Sequence, residues 1–313
     1  MKNGLGEKSL NLTFGQNLSP MNSRVAIVSY FSTGAYDTNT IDEDQILSGI
    51  LTELEIPHEI QAWSDPNVDW SSFSHLLIKS TWDYFDYYPE FLAWMERIKA
   101  LGIPVLNDLE TIRWNSSKEY LLQIEAQGFP TIAGVILEKG QEPSLEKIQE
   151  KVKSDVLVVK PVVSGGANNT LKIPVSEWEK YADQVNKLVK EEAFLAQPFV
   201  KEVAEVGEYS LIFFNEQFSH AVLKTPAKSD FRVQHYFGGT IQVIQPDADL
   251  LNAAQKLIDA FGKGTLYGRV DGVIINGVFH LMELELIEPY LFLGLTDQAI
   301  PNYARAIQKR LIG

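Results

Sequence analysis

The stretch Tyr267–Leu293, YGRVDGVIINGVFHLMELELIEPYLFL, decides how this chain is read. Gly272–Ile275 and Val278–Leu284 are apolar, β-branched runs, and Asn276-Gly277 between them is a strong hairpin signal. Asp271 lies at the far end of the first strand and Glu283 and Glu285 on the returning one; a spacing of two puts both glutamates on one strand face. Two turns compete. A two-residue Asn276-Gly277 loop pairs Asp271 with Met282 and leaves the glutamates on the other face. A three-residue loop, Ile275–Gly277 with Gly277 as a G1 bulge, pairs Arg269 with Glu283 and gathers all three acids. The bulged turn is the expectation adopted here. Three carboxylates in so apolar a strand pair repel one another and are costly to bury. A hard divalent cation, Mg²⁺ in preference to a caged Ca²⁺, removes that conflict and leaves positions for phosphate oxygens. The plain alternative is a solvated sheet face with its acids turned to water.

Length and composition bound the rest. With 313 residues the chain has room for two or three domains, and 45% hydrophobic and 11% aromatic content fit a soluble globular protein. A formal charge of −14 argues against a nucleic-acid or anionic-membrane partner. The absence of cysteine excludes disulfides, zinc–thiolate sites and cysteine nucleophiles. No apolar run approaches the ~18 residues a membrane span needs. Residues 1–22 read as a polar extension without the apolar core of a signal peptide, so the cytoplasm is the expected location.

From residue 23 to about 110, apolar strands at Val25–Phe31, Glu59–Trp63, Leu76–Lys79 and Ile103–Leu106 alternate with helical patterns, which predicts a small parallel α/β domain. Ligands in such sheets sit beyond the strand carboxyl ends, where Ser80-Thr81-Trp82-Asp83-Tyr84 falls. Residues 111–195 carry a helix at Ser116–Gln127, strands at Thr131–Leu137, Val156–Val159 and Thr170–Pro174, and a helix at Ser176–Glu191 with Ser176 and Glu179 as a capping box. Residues 196–313 add a hairpin (Gly207–Asn215, Gln217–Lys224), a helix at Asp249–Phe261, the acidic hairpin and a closing helix at Thr296–Leu311. Pro198 would force the strand at Phe194–Val200 to a sheet edge or a crossing point. The fold class expected is an α/β N-terminal domain followed by two α+β subdomains.

Cations complement the acids. Lys160 precedes the small-residue loop Ser164–Asn169, whose backbone N–H groups could approach anionic oxygens closely. Lys118 falls in the first turns of its predicted helix, where the dipole disfavours a cation. Lys224 ends an apolar strand, and Arg232 lies in the loop after it. Each alone reads as a surface charge; with the acidic hairpin they read as the cationic half of a phosphoryl-transfer site. The five histidines show no metal-ligand spacing, and no GxSxG elbow supports a hydrolase.

Together, Lys118, Lys160 with its SGGANN loop, AQPFV (196–200), GEYS (207–210), Lys224, Arg232 and RVDGV…MELELIEP resemble the ATP-grasp ligases. WSDPNVDW (63–70) and STWDYFDYYPEFLAW (80–94) look like the branch containing the O-ureido-serine cyclo-ligase of cycloserine biosynthesis, with bacterial glutathione synthetase more distant. The resemblance implies roles. Lys118 and Lys160 would hold the phosphates of ATP under a loop formed by Gly165, Gly166 and Ala167. Gln197, Phe199 and Val200 would line the adenine slot, and Glu208 (or failing it Glu205) would take the ribose. Asp271, Glu283 and Glu285 would bind two Mg²⁺, replaceable by Mn²⁺, while Lys224 and Arg232 would steady the transferring phosphoryl group. The implied reaction is carboxylate–amine ligation, within or between small molecules, through an acyl phosphate. Precursor-peptide modification and a non-enzymatic nucleotide binder are the competing readings, and a homodimer is compatible with all of them. The chain departs from glutathione synthetases at Lys224 and Glu285, where they carry Arg and Asn, and from the cyclo-ligase branch at Lys79, where it carries Arg.

Overall fold

The structure, a computed structural model, describes residues 24–31, 42–165, 169–227 and 239–313. Its first sheet is parallel, ordered β2-β1-β3-β4, and comprises β1 (Val25–Ser29), β2 (His58–Ala62), β3 (His75–Ser80) and β4 (Val105–Leu106). β1 and β3 are interior strands, and burial on both faces is why they read as continuous apolar runs. The crossovers are α1 (Glu43–Glu53) and α2 (Tyr88–Leu101). Asp42 caps α1 by accepting the N–H groups of Asp44 and Gln45 at 3.1 Å. The acids that follow it do more than complement the helix dipole. Glu43 is buried and reaches into the last domain, and Asp44 accepts the hydroxyls of Ser29 (2.6 Å) and Ser80 (2.7 Å).

The helix predicted over 116–127 starts four residues late, and a separate short helix that was not expected precedes it. These are α4 (Tyr120–Ala126) and α3 (Leu109–Asn115); between them Ser116 Oγ donates back to Arg113 O and the Lys118 N–H goes to Val162 O at 2.8 Å. Lys118 therefore stands between the two helices and not in a helical turn.

The second sheet is antiparallel, ordered β5-β8-β6-β7: β5 (Val135–Leu137), β6 (Val156–Pro161), β7 (Leu171–Pro174) and β8 (Phe194–Pro198). α5 (Leu145–Val152) and α6 (Trp178–Glu191) bury Ile148, Val152, Trp178 and Val185 against it. The expected capping box does not form: Ser176 sits in a 3-10 turn, and α6 starts at Trp178 without a side-chain cap. Nor is β8 an edge strand. β5 pairs with it only as far as Ala196, so the missing N–H of Pro198 falls where that ladder has already ended.

After α7 (Lys201–Glu205) comes a five-stranded antiparallel sheet ordered β11-β10-β9-β12-β13. Its strands are β9 (Glu208–Phe214), β10 (Gln217–Thr225), β11 (Thr240–Ile244), β12 (Tyr267–Ile275) and β13 (Val278–Glu285), with α8 (Ala248–Phe261) and α9 (Ala299–Leu311) packed against it. α7 and β11 carry no periodic apolar signal and were not expected.

The acidic hairpin keeps its two-residue Asn276-Gly277 turn, with φ of 50° and 79° and Ile275 opposite Val278. The extra residue is instead Met282, between the Gly272↔Leu281 and Asp271↔Glu283 pairs. All three acids do share a face, but a bulge inside β13 puts them there. Close approach at Gly272 permits it: a Cβ there would lie 2.3 Å from His280 O and 2.5 Å from the Phe279 ring. Gly272→Ala must push these strands apart and is expected to cost at least about 2 kcal/mol in urea unfolding. An alanine variant as stable as the parent would show that the bulge is not tied to this contact.

β13 is an edge strand whose outward backbone is covered. Asn115 donates to Leu284 O (2.7 Å) and accepts Leu286 N–H (2.8 Å), the Tyr120 hydroxyl accepts Leu284 N–H (2.9 Å), and Leu281 N–H goes to Pro130 O (2.9 Å). Asn107, fully buried, likewise bonds Tyr267 O, Leu286 O and Leu266 N–H. The first sheet and α9 share one core, in which Ile27, Leu47, Phe214, Tyr267 and Tyr303 meet. Among the described residues no helix is long and apolar enough to cross a membrane.

Candidate active site

A cleft of about 390 Å³ opens between the second and third sheets and is closed at one end by the first domain. Lys160 projects from the end of β6, and Lys118 from the break between α3 and α4. Both ammonium groups face Glu283 Oε1, at 3.1 and 3.7 Å, and Lys118 Nζ also donates to Ser164 O at 2.8 Å, where the glycine-rich loop begins. Burial alone would raise the Glu283 pKa, but the two lysines outweigh it and hold the carboxyl well below its usual range.

Beside it, the register of β12 and β13 sets Asp271 opposite Glu283 and Arg269 opposite Glu285. Arg269 Nε reaches both oxygens of Asp271 at 3.0 Å, and its NH2 bonds Asp271 (2.9 Å) and Glu285. Ser210 Oγ donates to Asp271 at 2.6 Å. Lys224, opposite Glu208 on the β9–β10 ladder, donates to Glu208 at 2.5 Å and lies 3.6 Å from Asp271. Burial works against the Lys224 charge, yet Asp271 and Glu208 keep it protonated. Burial likewise opposes ionisation of Asp271, but Arg269 and Lys224 hold that carboxyl below its usual value. Two acids remain poorly compensated. Burial pushes Glu285 up to about 7, against Arg269 and with Asp271 and Glu283 adding to it. Glu288 is pushed up to about 8 by burial and by Glu285.

The other end of the cleft is apolar, lined by Ile132, Val158, Phe199, Val200, Val203 and Met282. Gln197 is buried there and donates to Ile132 O at 3.0 Å. Gly165 abuts the first domain: a Cβ on it would meet the Phe85 ring at 2.5 Å. Thus Lys118, Lys160, Gly165, Gln197, Phe199, Val200, Glu208, Lys224, Asp271, Glu283 and Glu285 all line one cleft, although they are scattered over 168 positions of the chain, from 118 to 285. Gly166, Ala167 and Arg232 lie outside the described residues.

Sequence reasoning missed Arg269 and Glu288 as cleft residues. Arg269 had a signal, since two positions before Asp271 on a strand is the same face. Glu288 had none, because it follows the strand. Lys79 proves not to line the cleft at all. It is completely buried, 2.9 Å from Glu43 and donating to Pro289 O at 3.1 Å.

The order of the sheets and the cleft between the last two give the chain the fold of the ATP-grasp ligases. More particularly, residues 25–107 match the family described as the N-terminal domain of D-cycloserine synthetase. The cycloserine biosynthesis protein DcsG of Streptomyces lavendulae is 26% identical over 272 residues, covering 82% of this chain and 89% of that one. A crystal structure of D-cycloserine synthetase superposes with a TM-score of 0.77 at 24% identity, covering 92% of this chain and all of the other. D-alanine–D-alanine ligase from Bacillus anthracis, complexed with ATP, gives 0.61 at 16% identity over 93% and 94% of the two chains. The sequence resemblance to the ATP-grasp ligases is borne out.

Among the described residues no group of three acids or histidines is already gathered as an ion cage, because cations hold each hairpin carboxylate. The donor set nonetheless suits Mg²⁺. It offers hard oxygens only, on adjacent strands, leaving coordination positions for the phosphate oxygens that Mg²⁺ keeps in nucleotide sites.

Proposed function

We propose that the chain is an ATP-dependent carboxylate–amine ligase acting on a small amino-acid-like substrate. One observation carries this reading: two lysines from one side of the cleft and the carboxylates of the hairpin from the other converge on Glu283. That arrangement suits a triphosphate, whose oxygens would draw Lys118 and Lys160 off Glu283 and free it for a cation. Bound Mg²⁺ would be held by Asp271, Glu283 and Glu285 and would neutralise charge on the β- and γ-phosphates.

The chain's own groups then have distinct tasks. Lys118 and Lys160 hold phosphate oxygens, with Ser164 and Gly165 beside them. Lys224 and Arg269, fixed by buried acids, present positive charge where the γ-phosphoryl group passes to the substrate carboxylate. The apolar end takes adenine, with Gln197 positioned for its polar edge and Glu208 for the ribose. The acyl phosphate so formed is attacked by an amine, releasing phosphate. Catalysis rests on positioning and on excluding water more than on any single base.

The relation to cycloserine synthetase supports an amino-acid-derived substrate and ring closure within one molecule. Lys79 does not weigh against this, since the departure falls on a buried contact and not on the cleft wall. Screening small amino-acid-derived carboxylates, with and without separate amines, is expected to give ADP release that needs both Mg²⁺ and an acid substrate. Absence of ADP with every acid would sink the ligase reading.

A further inference from the structure

Five carboxylates line the cleft, and four are paired with cations, Glu208 with Lys224 among them. Asp271 has Arg269 and Lys224, Glu283 has Lys118 and Lys160, and Glu285 has Arg269. Glu288 lines the same cleft and forms no ion pair among the described residues.

Its backbone is unusually well tied. Trp82 Nε1 donates to Glu288 O (3.1 Å), Lys79 Nζ to Pro289 O (3.1 Å) and Arg269 NH1 to Tyr290 O (2.8 Å). The Glu43 carboxylate then accepts the N–H groups of Leu291 (2.8 Å) and Leu293 (3.0 Å). A carboxylate presented on so fixed a segment is preorganised for a ligand. The surroundings choose which ligand. Trp82, Tyr84, Phe85, Ile287 and Tyr290 line the same cleft, and Trp82 bonds the Glu288 carbonyl directly. Aromatic faces beside a lone carboxylate suit an organic ammonium, whereas a hydrated metal ion favours oxygen-rich walls.

We propose that Glu288 anchors the primary ammonium group of a free amino-acid substrate, in a subsite walled by Trp82, Tyr84 and Tyr290. This assignment rests on the ligase reading and names the substrate class of the same site. The ammonium held by Glu288 orients the substrate so that its carboxylate reaches the phosphates beside Glu283. Glu43 and Lys79 act as positioning residues for the segment that carries the anchor.

The test compares D-alanine, D- and L-serine and O-substituted serines, each free and N-acetylated, with Mg²⁺ and ATP. The free acids are expected to support ADP release at least about tenfold better than their acetylated forms. Glu288→Gln is expected to raise KM for a free acid about 10–100-fold, the loss of one charged hydrogen bond. Its affinity for AMP-PNP with Mg²⁺ should stay within about twofold of the parent's. An unchanged KM in Glu288→Gln, or equal use of acetylated acids, overturns the assignment. So does weakened AMP-PNP binding, which would move Glu288 to the metal site. Should the parent bind AMP-PNP yet release no ADP with any free acid, the subsite falls while the nucleotide cleft stands. If AMP-PNP itself does not bind, the ligase reading fails with it.

Discussion

Glu283→Gln is expected to lower ADP release by on the order of 10³-fold or more while leaving the protein folded. Among the described residues Glu283 is the carboxylate that both Lys118 and Lys160 meet, and it faces Asp271 across the ladder. In the proposed reaction, losing its charge would remove a hard ligand from the cation that neutralises the phosphates, a loss of several kcal/mol in the transition state. Glutamine keeps the side-chain length and can still accept from Lys160, so the fold is spared. The same change leaves Lys118 and Lys160 without their anionic partner. Metal-free ADP should therefore bind at least as tightly as to the parent, even as the response to Mg²⁺ disappears. Calorimetry with ADP, with and without Mg²⁺, reads both effects. Near-normal turnover in Glu283→Gln would remove the residue from the reaction.

The largest expected loss of stability lies away from the cleft, at Lys79. Its ammonium and the Glu43 carboxylate are both essentially without solvent contact. Lys79→Met strands Glu43 as a buried anion, which costs about 3–5 kcal/mol. The thermal midpoint is expected to fall by on the order of 10 °C. The double variant Glu43→Gln, Lys79→Met should recover part of that fall, because no uncompensated charge remains. If Lys79→Met melts with the parent, the pair does not hold the first domain to the segment after β13.

Several of these features could be read directly from the residues. The first sheet announced itself through the apolar runs of β1 and β3, and the lysines and acids of the cleft through the company they keep along the chain. Other features left little trace. The three acids share a face as expected, yet the device is the extra Met282 and not the turn, and one added residue in an alternating run looks the same as none. The late start of α4 left no trace in the local pattern; Asn115 and the Lys118 N–H turn instead to Leu284 and Val162, far away in sequence. Glu43 reads as an ordinary first-turn acid until its partners from the last domain come into view. In each case the deciding contact is long-range, while local pattern reports only the chain's own neighbourhood.

The side chains that cover the outer edge of β13, and Asn107 at the start of β12, have a consequence for synthesis. Asn107, Asn115 and Tyr120 leave the ribosome roughly 160 residues ahead of the backbone groups they bond, at separations of 160, 169 and 164. Until the final hairpin emerges, these side chains have only water to bond. The first sheet, β1 to β4, and the middle sheet, β5 to β8, each pair within themselves and end by residue 198, so both can complete their ladders while the last sheet is still being made.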